Sequence, residues 1–236
     1  MVLERQAGVL RPEVAVLAAV RRAEQLGAVV HRHTAVDSIE QHDDGAVVHA
    51  GCRQHAVDKV ITAAGPWTGV LLPDWRPRLE VRRLVMSWFA SADPAAFTPD
   101  RFPVFTRRWG GTDLFGLPSV DGRTVKVALA DAAGEVEDPC DLDPRVPAGE
   151  LATINEVVTE LLPGLVPEPV RAHAYMDAFT PDLRPVIAAP SPASVLLCGF
   201  SGHGFKLAPV VGEIAADLAT YGKTRHDTRA FELAAA

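Results

Sequence analysis

The segment Gly199-Phe200-Ser201-Gly202-His203-Gly204-Phe205-Lys206 (GFSGHGFK) lies between a short apolar run, residues 195–198, and a long apolar-periodic run, residues 207–221. A buried strand that enters a glycine-punctuated loop and leaves into a helix is the elementary joint of an α/β layer. Glycines let a backbone come close to a neighbour, and the helix that follows begins with unpaired N–H groups. Those donors, with the positive end of the helix dipole, suit a negative group such as a phosphate, a carboxylate or the anionic edge of a reduced ring. On glycines alone the plainer reading, a tight strand-to-helix connection, takes precedence. In the helix, Val210, Val211, Ile214 and Leu218 are expected to face inward.

Outward from this joint, the N-terminal part has a similar character. Pro12 opens a helical pattern with Val14, Leu17, Val20 and Leu26 near one face, and Gly27 stands where a left-handed cap belongs. Strands are expected over 28–33, 36–40 and 46–49, the last across an Asp43-Asp44-Gly45 turn. Residues 58–64 (DKVITAA) read as a buried strand running into Gly65-Pro66-Trp67. A change of composition near Pro77 marks a crossover. Beyond it, strands over 84–89, 104–107, 113–117 and 124–130 suggest an antiparallel sheet. A helix over 148–162, stopped by Pro163-Gly164, and a strand over 170–179 follow. Two α/β ends around a mostly β middle predict a mixed α+β, α/β fold: a discontinuous domain, 1–77 with 181–236, and an inserted antiparallel-sheet domain, 78–180.

The 236 residues are 48% hydrophobic, enough for a real core, and carry 23 basic against 30 acidic side chains for a formal charge of −7. Arg82-Arg83 and Arg107-Arg108 are the densest basic pairs and neither sits among stacking aromatics, which argues against nucleic acid as a partner. Cys52, Cys140 and Cys198 are far apart, without zinc-ligand spacing, and fit a reducing, cytoplasmic setting. His31 and His33 would share a strand face, but no third metal ligand is evident, so no metal is expected. No apolar run approaches the roughly 18 residues of a membrane span.

The full octamer resembles the segment beside the flavin ring in the monomeric sarcosine oxidase and N-methyltryptophan oxidase family. These are DAO-type FAD-dependent enzymes that oxidise secondary amines with oxygen. Further landmarks run in family order through the chain: Gly8-Val9-Leu10-Arg11-Pro12-Glu13, Ala63-Ala64-Gly65-Pro66-Trp67, Gly116-Leu117-Pro118-Ser119, Thr180-Pro181-Asp182 and Thr224-Arg225-His226-Asp227. The resemblance implies a glutathione-reductase-like FAD-binding domain, here incomplete, with the inserted sheet as the substrate domain.

It also implies residue roles. Lys206 would bind the substrate carboxylate, while the backbone of Gly202, His203, Gly204 and Phe205 would contact the isoalloxazine. Lys126, after the GLPS-type turn, would face flavin N5 and promote reaction with oxygen, although by alternation alone a strand lysine faces solvent. Val36 would hold the adenine through its backbone, and Ala64-Gly65 would lie near the cofactor's central portion. Strand packing accounts for these residues equally well.

The family's opening strand, GxGxxG turn and helix, which grip the FAD pyrophosphate, are missing from these residues. FAD binding by this chain alone is therefore expected to be weak or absent, with apolar surface and strand edges left open to self-association or to an N-terminal partner chain. Where the family carries the cysteine that links to flavin, this chain has Tyr175, so bound FAD would be non-covalent. Asp177 and Phe115 replace pocket tyrosines, and Ala130 replaces a histidine. A small amine or amino acid substrate is implied. The alternative is a non-catalytic relic or interaction module that keeps the substrate-domain fold.

Overall fold

Pro12 supplies the helical φ of a first turn and Gly27, at φ +99°, terminates the same helix in a computed structural model that describes residues 4, 6–130 and 134–231. Helix α1 (Pro12–Gln25) precedes strands β1 (Ser38–His42), β2 (Gly45–Ala50), β3 (Arg53–Val57) and β4 (Val60–Thr62). A single turn, α2 (Thr68–Leu71), leads to β5 (Glu80–Ser91), β6 (Phe105–Trp109), β7 (Thr112–Leu117) and β8 (Thr124–Leu129). Then come α3 (Ala152–Leu161), β9 (Leu165–Phe179), β10 (Val186–Ser191), β11 (Ser194–Cys198) and α4 (Gly204–Tyr221). The chain divides into two compact units, Leu10–Val81 with Asp177–Ala236, and Met1–Val9 with Arg82–Met176.

In the first of these units, β1, β2 and β3 form an antiparallel meander, and a second sheet has the order β10-β11-β4 with β11 parallel to β4. Every residue of β11 is buried because both its faces are covered. Val195 and Leu197 pack with Val211, Ile214 and Ala215 of α4, whereas Leu196 and Cys198 pack with Leu72, Trp75 and Leu79. That two-sided burial is why Ser194–Cys198 reads as a continuous apolar run rather than an alternating one.

Several expectations for this unit change. Residues 28–33 form no strand: His33 turns at φ +54°, and Val29 and Val30 are exposed, with no partner strand beside them among the described residues. A strand without a ladder leaves its backbone to water. The strand expected over 36–40 begins only at Ser38, so Val36 lies outside it. The seven-residue strand expected over 58–64 shrinks to Val60–Thr62, and Ile61 is 44% exposed. Most tellingly, α1 buries none of its residues; Val14 is 60% and Leu17 48% exposed, as is the stripe's last member, Leu26, at 70%. The apolar stripe is real, but no layer lies against it among the described residues.

In the other unit, the sheet order is β6-β7-β8-β5-β9. The β6–β7 hairpin closes through Gly110 and Gly111 at φ +57° and +92°, the two positive φ values that a type I′ turn demands. One sheet face carries Phe89, Leu114, Val125 and Val127 against Ile154, Val157 and Val158 of α3. The helix expected over 148–162 opens as a 3-10 turn, Ala148–Leu151, before α3. β9 starts at Leu165 rather than 170, running through Pro167 and Pro169 because an edge strand needs no donor on its outer side.

Candidate functional site

β11 and β4 run in parallel, with Leu196 opposite Thr62, so both strands end at the same edge of the sheet. Ala64-Gly65 and Gly199-Gly202 therefore emerge side by side at a carboxyl end, the place where open α/β sheets hold ligands. Gly65, at φ +54°, begins the turn Gly65–Trp67, and Trp67 N–H donates to Ala64 O at 3.1 Å. Val36 is exposed just before β1, where Asp37 N–H donates to His49 O at 2.8 Å.

The three glycines of the octamer have different physical roles. Gly199 has φ +62°, and a Cβ there would lie 2.5 Å from Thr180 Cγ2. Its constraint is packing within the protein. A Cβ at Gly204 would lie 3.0 Å from Phe200 Cβ, again an internal contact. Of the three, only Gly202 combines a left-handed φ of +81° with no atom of the described residues within 4 Å of an added Cβ, so among them it borders open space. Buried Ser201, at φ +50°, is held by bonds to its neighbours: its N–H donates to Ala178 O at 3.1 Å, and its hydroxyl accepts from Thr180 N–H at 3.3 Å and donates to Gly199 O at 3.1 Å.

The loop is shorter than expected. His203 is the N-cap, its N–H already donating to Phe200 O at 2.8 Å, and α4 begins at Gly204. Gly204, Phe205 and Lys206 are thus the first helical turn, whose N–H groups have no acceptor within the helix. Among the described residues no side chain caps them, and Phe205 and Lys206 are exposed. An uncapped helix start, an adjacent ammonium and open space at Gly202 form a coherent receptor for a planar or anionic group. Further along α4, Val211 and Ile214 are buried as expected, but Val210 is exposed.

Lys126 lies in the sheet unit. It is opposite Trp88 in register and on the face away from Phe89, Val125 and Val127. Its Nζ lies 5.6 Å from the Trp88 ring centroid and 6.0 Å from that of Phe115, so the ammonium rests between two aromatic rings. Arg171 stacks on Trp88 at 3.7 Å, and His173 and Tyr175 follow on β9 with their rings 4.7 Å apart. The aromatic and cationic setting of Lys126 was not read from sequence, because it depends on which residues the register places across from it.

The turn before Lys126 is also built by side chains. Asp121 accepts from Thr124 N–H and Arg123 N–H, each at 2.8 Å, from Thr124 Oγ1 at 2.7 Å and from Ser119 Oγ at 3.1 Å. Burial tends to raise its pKa, but these bonds prevail and hold it down at about 2. Cys198, by contrast, is buried and its thiol is pushed up to about 12 by burial, so it does not supply a thiolate. The shared strand face of His31 and His33 does not exist, since that strand does not form; His31 packs against His55 at 5.5 Å. Among the described residues, no three His, Cys, Asp or Glu side chains are grouped to hold a metal. No described helix is long and apolar enough to cross a membrane.

The profile of the family described as DAO, FAD dependent oxidoreductase, matches residues 2–218. The chain belongs to this family. It is 34% identical to the monomeric sarcosine oxidase of Streptomyces avermitilis, over 97% of this chain and 61% of that protein. It is 30% identical to the N-methyl-L-tryptophan oxidase of Escherichia coli, over 98% of this chain and 62% of that protein. The chain thus spans roughly three-fifths of the length of these relatives. Among solved structures, the open form of NikD, an unusual amino acid oxidase essential for nikkomycin biosynthesis, has a TM-score of 0.79 at 19% identity, covering 93% of this chain and 59% of that one. Glycine oxidase from Geobacillus kaustophilus has a TM-score of 0.69 at 20% identity, covering 93% and 57%. At such identities the likeness establishes the fold; chemistry must be argued from the site.

Proposed function

We propose that this chain carries the flavin-ring and carboxylate side of a FAD-dependent oxidase of secondary or N-methyl amino acids. The observation that carries the reading is the end of β11: an open left-handed Gly202, then the uncapped first turn of α4 with Lys206 exposed on it. The residues present fit that side of the cofactor. Gly202, His203, Gly204 and Phe205 would hold the isoalloxazine, Ala64 and Gly65 the cofactor's central portion, and Val36 the adenine. FAD, when bound, would accept the hydride of the C–H beside the amine nitrogen, the nitrogen giving up its proton to leave an imine, and would pass the two electrons with two protons to oxygen as hydrogen peroxide.

Lys206 pairs with the substrate carboxylate and so orients the amine, a role suited to a flexible ammonium at a helix start. Lys126, restrained between Trp88 and Phe115, is the fixed cation that favours reduction of oxygen. With Tyr175 at the linkage position, the cofactor is held non-covalently. Residues 1–77 and 181–236 serve the FAD-binding domain and 78–180 the substrate domain. The pyrophosphate grip, a strand–GxGxxG–helix unit, is not among these residues and is required from an additional segment.

The test is to combine the 236-residue chain with a family-type GxGxxG segment and FAD, then add N-methyl amino acids without oxygen. A yellow complex that bleaches, and recovers on admitting oxygen with release of peroxide, is expected. A complex that stays colourless, or a yellow one that no secondary amine bleaches, overturns the reading.

The bare apolar stripe of α1 favours a second reading, a flavin-free interaction module. It wins if the chain is a stable, colourless monomer that binds a protein partner through Val14 and Leu17 and never takes up FAD.

A further inference from the structure

The carboxylate of Asp177 grips the loop before α4. Its Oδ2 accepts from Gly202 N–H at 2.7 Å, and its Oδ1 from the adjacent Ala178 N–H at 2.8 Å. Asp177 itself is half-buried near the end of β9. The residues it restrains are unusual, since Ser201 and Gly202 are consecutive left-handed residues at φ +50° and +81°. Ser201 is not a glycine, and such a conformation persists only where surrounding contacts over-determine it. Ser201 has its own three bonds to Ala178, Thr180 and Gly199. Gly202 is exposed and borders open space, so the Asp177 bond is what ties its peptide to the strand.

We propose that Asp177 is a positioning residue that latches the Ser201–Gly202 turn and selects which amides face the ligand. An N–H committed to a carboxylate does not donate to a bound group. His203 N–H is likewise committed, to Phe200 O. The donors left for the ligand are therefore those of the first turn of α4, starting at Gly204, next to Lys206. The latch keeps that turn in register with the end of β11 and places a negative charge on the strand side of the loop. A second anion is thereby discouraged at Gly202 and favoured at the helix start. This role deepens the oxidase reading and rests on it for the identity of the ligand, but the latch is a property of the chain itself.

Residue-resolved amide hydrogen exchange on the full chain tests it. In Asp177→Ala, Gly202 should exchange roughly tenfold faster or more, the change implied by losing a bond to a charged acceptor. Leu196 and Leu197 in β11 should keep their protection. Asp177→Asn can still accept from Gly202 but turns an N–H₂ toward Ala178 N–H, so it should fall between the parent and Asp177→Ala. Unchanged Gly202 exchange in Asp177→Ala overturns the proposal, as does an equal rise across β11 and α4. Should Asp177→Ala not fold, Asp177→Asn decides alone: Gly202 exchange equal to the parent's overturns the latch, and a selective rise supports it. In FAD-loaded protein, KM for an N-methyl amino acid should rise more than kcat falls in Asp177→Ala, with partial rescue by Asp177→Asn. If no form takes up FAD, the oxidase reading fails while the exchange result still judges the latch.

Discussion

Helices α1 and α4 belong to the same unit and both carry an apolar stripe, yet one is bare and the other packed. Val14 and Leu17 on α1 are exposed, whereas Val211, Ile214 and Ala215 on α4 lie against Ile187, Val195 and Leu197. The difference is not one of pattern. It is one of partner, because α4 has a sheet beneath it and α1 has none among the described residues. Amphipathicity states that a face must be covered; it does not name the cover. In a family whose relatives are longer than this chain, α1 is the element most in need of one.

The largest expected effect breaks or upholds this contrast directly. Ile214→Ala should lower stability by about 2–5 kcal/mol by leaving a cavity under α4, whereas Leu17→Ala should stay within about 0.5 kcal/mol in the isolated chain. Denaturant unfolding of both variants measures this, and equal costs would show that α1 is covered in solution. The next effect compares the glycines that border the two helices. Gly199→Ala adds a 2.5 Å clash to a left-handed φ, while Gly27→Ala meets only the left-handed φ of +99°. Thermal melts should show about 2 kcal/mol or more for Gly199→Ala and about 1 kcal/mol for Gly27→Ala.

A third effect concerns the exposed start of α4, which the proposed function gives to ligand rather than to stability. Lys206→Met should leave the melting temperature unchanged and, under the proposed function, raise KM for an N-methyl amino acid in FAD-loaded protein roughly 10- to 100-fold. A fall in stability with no change in KM would return Lys206 to a structural role. The smallest effect lies outside both helices and serves as their reference. Asp121 has a pKa lowered from 3.8 to about 2. Its contribution is therefore present above the unfolded value and is lost as pH falls through the folded one. Asp121→Asn should flatten the pH dependence of unfolding between about pH 4 and pH 2 without altering the difference between Ile214→Ala and Leu17→Ala.

Much of the architecture was legible before any coordinates. The strands β5 to β8 showed alternation and turn residues, β11 showed a doubly buried run, and Pro12 and Gly27 bracketed α1. The misreadings have separate causes. Residues 28–33 have the composition of a strand but no neighbour to pair with among the described residues, and Gly202 and Gly204 disguised the true start of α4. Val210 matched a helical period yet fell on the exposed edge of the stripe, a distinction too fine for periodicity.

By itself, the sequence determined the family, through the octamer and the ordered landmarks, and the local chemistry of left-handed glycines, proline starts and a lysine at a helix N-terminus. Only the tertiary structure decided that Gly199 is demanded by Thr180, that Gly202 faces open space, that Trp88 and Phe115 flank Lys126, and that Asp177 holds Gly202. Backbone preference is written in neighbouring residues. Register, close approach and hydrogen-bond partnership join residues far apart in the chain, and those pairings exist only once the sheets have formed.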